Sequence, residues 1–255
     1  MDARAQCPKI EFQKASMTFI TPGGPVEAVR EIDLKIGENE IVCVVGPSGC
    51  GKSTLVNLVA GFILPTGGRV LTDGRPVGKP GADRAVVFQQ DSVFPWLTVS
   101  KNLEYGPRAR GVSVEDREST VGRLLDLVDL RQFKDMYPRH LSGGMKKRVD
   151  LARAYANEPE ILLMDEPFGA LDVLTKEKMQ RDLLRLWRED ARTVVFITHD
   201  IEEAIFVGHR IVVLTTRPAR VSADIKVPFE KELDTRVKTT RPFQELRQQI
   251  IDMLE

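Results

Sequence analysis

The stretch Ile41-Val42-Cys43-Val44-Val45-Gly46-Pro47-Ser48-Gly49-Cys50-Gly51-Lys52-Ser53-Thr54 decides how the rest of the chain is read. Its first five residues form the longest unbroken apolar run, and that length and β-branched content predict a strand buried on both faces. A loop of the form Gly-x-x-x-x-Gly-Lys-Ser follows at once, and Leu55, Leu58 and Val59 then take up helical spacing. In that strand, loop, helix setting the pattern points to a phosphate-binding loop. Its glycines let the backbone close so that N–H groups converge on phosphate oxygens, and the start of the next helix adds partial positive charge. Residues Gly46, Pro47, Ser48, Gly49, Cys50, Gly51, Lys52, Ser53 and Thr54 are therefore expected to cradle a nucleoside triphosphate. Lys52 would bring charge to the β and γ phosphates, and Ser53 a hydroxyl to Mg²⁺. Cys50 has two readings: a thiol activated by the loop amides and Lys52, or a small side chain that the loop tolerates.

Working outward, short apolar runs recur at 85–88, 161–164, 193–198 and 210–214, with helical patterns between them. Val121, Leu124, Leu125 and Val128 share one helical face, as do Met179, Leu183, Leu186 and Trp187. Buried strands joined by helices predict an α/β fold with a mostly parallel sheet. The first 35 or so residues differ: 10–12, 16–19 and 29–36, broken by Thr21-Pro22-Gly23-Gly24-Pro25, predict a small antiparallel β layer. Residues 93–157 are mainly helical and interrupt the strands, so a single domain is expected over 1–255. It comprises a nucleotide-binding core (1–92 and 158–255) and a helical subdomain (93–157). A last helix is opened by Pro242, with Phe243, Leu246, Ile250 and Met253 on one stripe.

Ile161-Leu162-Leu163-Met164-Asp165-Glu166-Pro167 reads as an apolar strand ending in two acids. In phosphate-loop enzymes the strand-end aspartate, here Asp165, holds Mg²⁺, usually through water, and Glu166 is placed to polarise an attacking water as general base. His199 closes the run 193–198 and is expected on the same carboxyl edge as Asp165, where open α/β sheets bind ligands. Asp200 and Glu203 read as the N-cap and N3 residues of the next helix, a junction that aims the imidazole at the phosphates. His140 and His209 read as structural or surface residues.

Leu141-Ser142-Gly143-Gly144-Met145-Lys146-Lys147-Arg148 completes the pattern. In order with the phosphate loop, the strand-end Asp-Glu, Gly169-Ala170-Leu171-Asp172 and the histidine after the next strand, it resembles the signature of ATP-binding-cassette (ABC) ATPases, from Phe19 to at least Arg220. The resemblance implies a P-loop NTPase cassette that binds and hydrolyses ATP with Mg²⁺. It makes Phe19 the aromatic that stacks on adenine, the other reading being a core strand residue. It makes Gln89 the glutamine that reaches Mg²⁺ and the attacking water, with Gln90 the alternative if the register slips. Ser142 and Gly144 resemble donors to the γ-phosphate of the opposite protomer, and Asp172 a residue that acts across the interface. Many relatives have Gln where this chain has Met145, and Lys146 and Lys147 add charge. With the signature in a helical arm and the phosphate loop in the sheet core, a head-to-tail homodimer would assemble two composite ATP sites.

Composition bounds the use of such a motor. The 255 residues carry 37 basic and 37 acidic side chains, a neutral balance that argues against a nucleic-acid partner. Cys7, Cys43 and Cys50 make no disulfide framework, which points to a reducing setting. No apolar run approaches the roughly 20 residues that span a bilayer, and the start of the chain lacks a signal-peptide stretch. Phe94-Pro95-Trp96-Leu97-Thr98-Val99 resembles the segment with which importer ATPases grip a membrane partner, although its rings could equally be local core. With Pro167-Phe168 and Thr216-Arg217-Pro218-Ala219-Arg220 it resembles the bacterial nitrate, sulfonate and taurine uptake group, and the chain ends before any extra C-terminal domain. The expectation is the ATPase subunit of an ABC importer on the cytoplasmic face of the inner membrane, with permease subunits and, indirectly, a solute-binding protein. The rivals are a soluble ABC ATPase acting on nucleic acid or ribosomes, a GTP-type switch, for which no Asn-Lys-x-Asp run is present, and a catalytically dead module.

Overall fold

The computed structural model describes residues 7–230 and 233–254; the reading of the first six residues lies outside them. Along the chain the elements are β1 (Ile10–Thr21), β2 (Gly24–Ile36), β3 (Ile41–Val45), α1 (Lys52–Ala60), β4 (Gly67–Thr72), β5 (Arg75–Pro76) and β6 (Arg84–Val87). Then come α2 (Val99–Ala109), α3 (Val114–Leu127), α4 (Gly143–Ala156), β7 (Ile161–Asp165) and α5 (Val173–Glu189). The order closes with β8 (Thr193–Ile197), α6 (Ile201–Val207), β9 (Arg210–Leu214), β10 (Val221–Lys226) and α7 (Arg241–Leu254). The described residues form two compact units, one from those up to Gly81 together with those from Arg192 onward, the other from Ala82–Ala191.

In the first unit β3 lies between β8 and β9, parallel to both, with Val42 opposite Val195 and Arg210. Every residue of β3 and β8 is buried. That is why these strands are nearly continuous apolar runs rather than alternating ones: each fully buried Val or Ile contributes roughly 1.5–3 kcal/mol, and the one buried hydroxyl, Thr193 at the start of β8, accepts from the Asn39 N–H. β10 pairs antiparallel with β9 at the edge, and its alternating burial marks one covered face and one wet face. His209 is structural, as expected: its Nδ1 accepts from the Ile41 N–H at 3.0 Å.

The expected antiparallel layer is present as β2-β1-β4-β5. The pieces read separately at 10–12 and 16–19 are one strand, β1, whose register against β2 slips between Phe12 and Ala15 and again up to Thr18, with Lys14 at φ +45°. Bulges break the period-2 pattern that a sequence reading depends on, so the strand looked like two. β4 and β5 were not anticipated.

In the second unit β6 and β7 run parallel, Ala85 opposite Leu162, and β6 ends at Val87, one residue short of the expected run. Ser113 caps α3 by accepting from the Asp116 N–H, with Glu115 and Asp116 in the first turn, as the helix dipole favours. α3 buries Val121, Leu124 and Leu125, and α5 buries Met179, Leu183, Leu184 and Leu186. Residues 93–98, which were counted as part of the helical stretch, are irregular.

Candidate functional site

The phosphate loop leaves β3 at its carboxyl end and enters α1 at Lys52. Gly51 shows why the pattern needs glycine: its φ is +128°, and a Cβ there would stand 2.7 Å from the Ala28 carbonyl oxygen. Lys52 is buried, and its ammonium donates to the carbonyl oxygens of Gly46 and Pro47, each at 2.9 Å. Loop and lysine thus hold one another, and the cation is buried against the loop. Ser53 is exposed at the start of α1, while Thr54 is buried. A cavity of about 340 Å³ is lined by Pro47, Ser48, Gly49, Cys50, Thr216 and Arg217. Cys50 is buried, its sulfur packed where a Cβ on Gly46 would lie 3.1 Å away, so the reading of a small tolerated side chain is the one its surroundings favour.

Phe19 lies on β1 opposite Val26 and is 36% exposed, on the surface rather than in the core. His199 follows β8, which runs parallel to β3 with Val44 opposite Ile197, so the histidine and the phosphate loop leave the same edge of this sheet. Asp200 caps α6 as expected, accepting from the Glu203 N–H at 3.1 Å. The Glu203 carboxylate, read as an N3 partner, is buried and accepts from the Thr198 hydroxyl at the strand end. The junction around His199 is therefore pinned from both sides.

The second unit gathers the acids. Asp165 ends β7, and Glu166 adopts φ +46°, a left-handed conformation that costs a non-glycine residue roughly 1–2 kcal/mol and turns the chain sharply off the strand. The Gln89 Nε2 and Glu166 Oε2 lie 3.6 and 3.7 Å from where a Cβ on Gly169 would sit, so amide and carboxylate share the space over that glycine. Gln89 and Asp165, with residues 88 and 90–92, line a cavity of about 390 Å³.

Ser142 is exposed and caps α4, accepting from the Met145 N–H at 3.3 Å. Gly144 packs on α5, where a Cβ would meet Thr175 Cγ2 at 2.5 Å. Thr175 also serves Asp172, the N-cap of α5, donating its amide at 3.1 Å; its hydroxyl and amide hold the Asp172 carboxyl below the ordinary range. Signature and Asp172 are thus tied through one threonine.

Three residues were undervalued in sequence. Arg217, quoted only within a resemblance, donates from Nη2 and Nε to the Gly49 carbonyl at 2.7 and 3.2 Å. Asn102, fully buried on α2, accepts from the Phe94 N–H and donates to the carbonyls of Phe94, Leu97 and Thr98. Lys147 was read as added charge; it is 2% exposed and points inward. Of the Phe94 segment, Phe94 packs against Tyr105 (4.7 Å between ring centroids), while Trp96 stays 69% exposed beside a cavity of about 380 Å³ shared with Leu97, Lys101, Glu104, Tyr105 and Arg108.

The residues present fit Mg²⁺ with a nucleotide. Within the second unit the Asp165 carboxylate and the Gln89 amide offer hard oxygen donors around one cavity, and Ser53 in the first unit offers a hydroxyl. Mg²⁺ takes such oxygens from one or two protein groups, with water and phosphate oxygens completing its shell.

Comparison with known proteins agrees. The ABC transporter family model matches residues 29–169. The chain is 45% identical over 250 residues to the taurine import ATP-binding protein TauB of Jannaschia sp., covering 96% of this chain and 93% of that protein. It is 42% identical over 249 residues to the nitrate import ATP-binding protein NrtD of Synechococcus elongatus, covering 96% and 91%. A solved dimeric bacterial ABC transporter cassette superposes with a TM-score of 0.75 at 34% identity, over 87% of this chain and all of that one. A glycine loop that holds its own lysine, an Asp-Glu strand end and a serine-capped signature helix stand on the expected cassette fold, and the chain belongs to the ABC transporter family as one of its ATP-binding proteins.

Proposed function

We propose that this chain is the ATP-hydrolysing subunit of a bacterial ABC importer, working as a homodimer beneath integral membrane permease subunits on the cytoplasmic face of the inner membrane. Its cargo would be a small solute of the nitrate, sulfonate or taurine class, delivered by a solute-binding protein. The observation that carries the reading is the phosphate loop with Lys52 buried against it, in a chain close to the taurine and nitrate import proteins over nearly its whole length. No helix among the described residues is long and apolar enough to cross a membrane, which leaves that task to partner chains.

In this reading Lys52 exchanges the Gly46 and Pro47 carbonyls for the β and γ phosphates, a charge-assisted gain for which the lysine itself, already buried, undergoes little further desolvation. Phe19 offers its ring to adenine. Mg²⁺, held by Ser53, Gln89 and, through water, Asp165, would neutralise charge on the phosphates. Glu166 takes a proton from water as the water oxygen bonds to the γ-phosphorus, the bond to the bridging oxygen breaks, and ADP and phosphate result. Gln89 orients that water beside Glu166, and His199 faces the γ-phosphate. Ser142 and Gly144 present α4 to the nucleotide of the opposite protomer, and Asp172 acts across the interface. A relative of 33% identity has been solved as a dimer after hydrolysis, with ADP and phosphate bound. Within the machine residues 93–157 serve as the helical arm, and the exposed Trp96 face meets the permease.

Glu166→Gln should keep ATP binding while hydrolysis falls on the order of 100-fold or more, and Lys52→Ala should lose binding. Nucleotide binding by fluorescence and phosphate release measure the two separately; wild-type turnover in Glu166→Gln would remove that residue from the base role.

A further inference from the structure

Lys147 stands one turn into the signature helix, on the face of α4 turned toward the Gln89 segment. Its ammonium donates to three consecutive backbone carbonyls, those of Phe88 at 2.9 Å, Gln89 at 3.0 Å and Gln90 at 3.4 Å. An ammonium has three N–H donors, and here each finds an acceptor in the same short segment. The carboxylates of Asp91 and Asp150 each approach it to 3.8 Å. Asp150, one turn on and 1% exposed, accepts from the Ser92 hydroxyl through Oδ1, while its Oδ2 is buried without a hydrogen bond. Arg153, a further turn on, donates to the Ser92 hydroxyl at 2.8 Å and to Asp150 Oδ1 at 3.0 Å, and lies over the Phe94 ring at 4.7 Å. Lys147, Asp150 and Arg153 thus form one stripe along α4: Lys147 grips residues 88–90, Asp150 and Arg153 share Ser92, and Arg153 also covers Phe94. Burying charge at this depth is costly: burial pushes the Lys147 pKa down and the Asp150 pKa up. A solvated surface lysine would have spared the fold that cost.

We infer that Lys147 is a positioning residue for hydrolysis. It locks the backbone of residues 88–90 to the signature helix, so that Gln89 takes its place beside Glu166 only when α4 is seated. The stripe makes α4 and the 88–94 segment move as one body, which gives the end of α4 that carries Ser142 and Gly144 a rigid connection to the water-orienting glutamine. A donor that points at main-chain oxygens fixes position without depending on neighbouring side chains. The inference rests on the role of Gln89 given above.

The test uses the full chain with MgATP. Lys147→Met keeps the stem and removes charge and donors; it should lower kcat ~10-fold with KM for ATP within about twofold, since a misplacement of about 1 Å at a reacting group costs this much or more. Amide hydrogen exchange at residues 88–92 should quicken ~10-fold with β7 unchanged, the mark of a local opening. Lys147→Arg, which keeps charge and donors, should restore most of kcat, and Lys146→Met on the same helix should change neither reading. Should Lys147→Met not fold, Lys147→Gln is measured in its place. Unchanged kcat and exchange overturn the inference, as does a fall in kcat accompanied by equally faster exchange throughout Ala82–Ala191. Gln89→Ala separates the two levels: if it leaves kcat intact, the role of Gln89 itself fails. If it lowers kcat and Lys147→Met does not, only the Lys147 link fails.

Discussion

The phosphate loop and the segment 88–98 are both irregular, and they are built by opposite means. The loop is held from within: Lys52 reaches carbonyls five and six residues back, and Gly51 sets the backbone turn. The 88–98 segment is held from without, by Lys147, Asp150 and Arg153 some 60 residues downstream on α4 and by Asn102 on α2. A locally determined loop has one arrangement whatever happens around it. A segment sewn to other helices takes its arrangement from them and shifts when they do.

The contrast can be broken or sharpened at named residues. The largest effect is expected in the loop: Gly51→Ala places a Cβ 2.7 Å from the Ala28 carbonyl at a φ of +128°, and ATP affinity should fall on the order of 100-fold in equilibrium binding. Thermal unfolding should change far less, because the loop adds little buried apolar surface. Asn102→Ala reverses the profile. It takes the side-chain partner from the Phe94 N–H and the Leu97 carbonyl and one of two donors from the Phe94 and Thr98 carbonyls, and should cost roughly 2–3 kcal/mol in denaturant unfolding, with ATP affinity within about twofold. Equal losses in both measurements would mean that the two regions are not independent. The smallest effect belongs to Arg217→Ala, which removes two donors from the Gly49 carbonyl; because the guanidinium is solvent-exposed, a weakening of ATP binding of about threefold is expected by titration calorimetry.

The legibility of the molecule follows the same division. β3, β7, β8 and β9 were readable because the parts of strands buried on both faces are almost wholly apolar, and α3 and α5 because a half-buried helix must repeat every three to four residues. β1 was read as two pieces because its bulges hide the alternation, and the two-residue β5 carries no pattern at all. Around the candidate site, the Asp200 cap beside His199 and the glycines of the loop were visible, since capping and left-handed backbone select residue types locally. Lys147 was misread for the converse reason: a lysine in a charged run looks like solvated surface, and only packing reveals that its ammonium lies among three carbonyls.

The sequence by itself determined the phosphate loop, the strand-end acids, the signature turn and thus the family, because each depends on residues adjacent in the chain whose backbone or charge requirements admit few substitutes. Only the tertiary structure decided that Gln89, rather than Gln90, shares the space over Gly169 with Glu166, that Cys50 is packed away, and that α4 carries an inward stripe holding the glutamine segment. Those are meetings between residues far apart in sequence. Their energy comes from desolvated hydrogen bonds and paired charges that exist only once the helices have packed, and no local pattern encodes them.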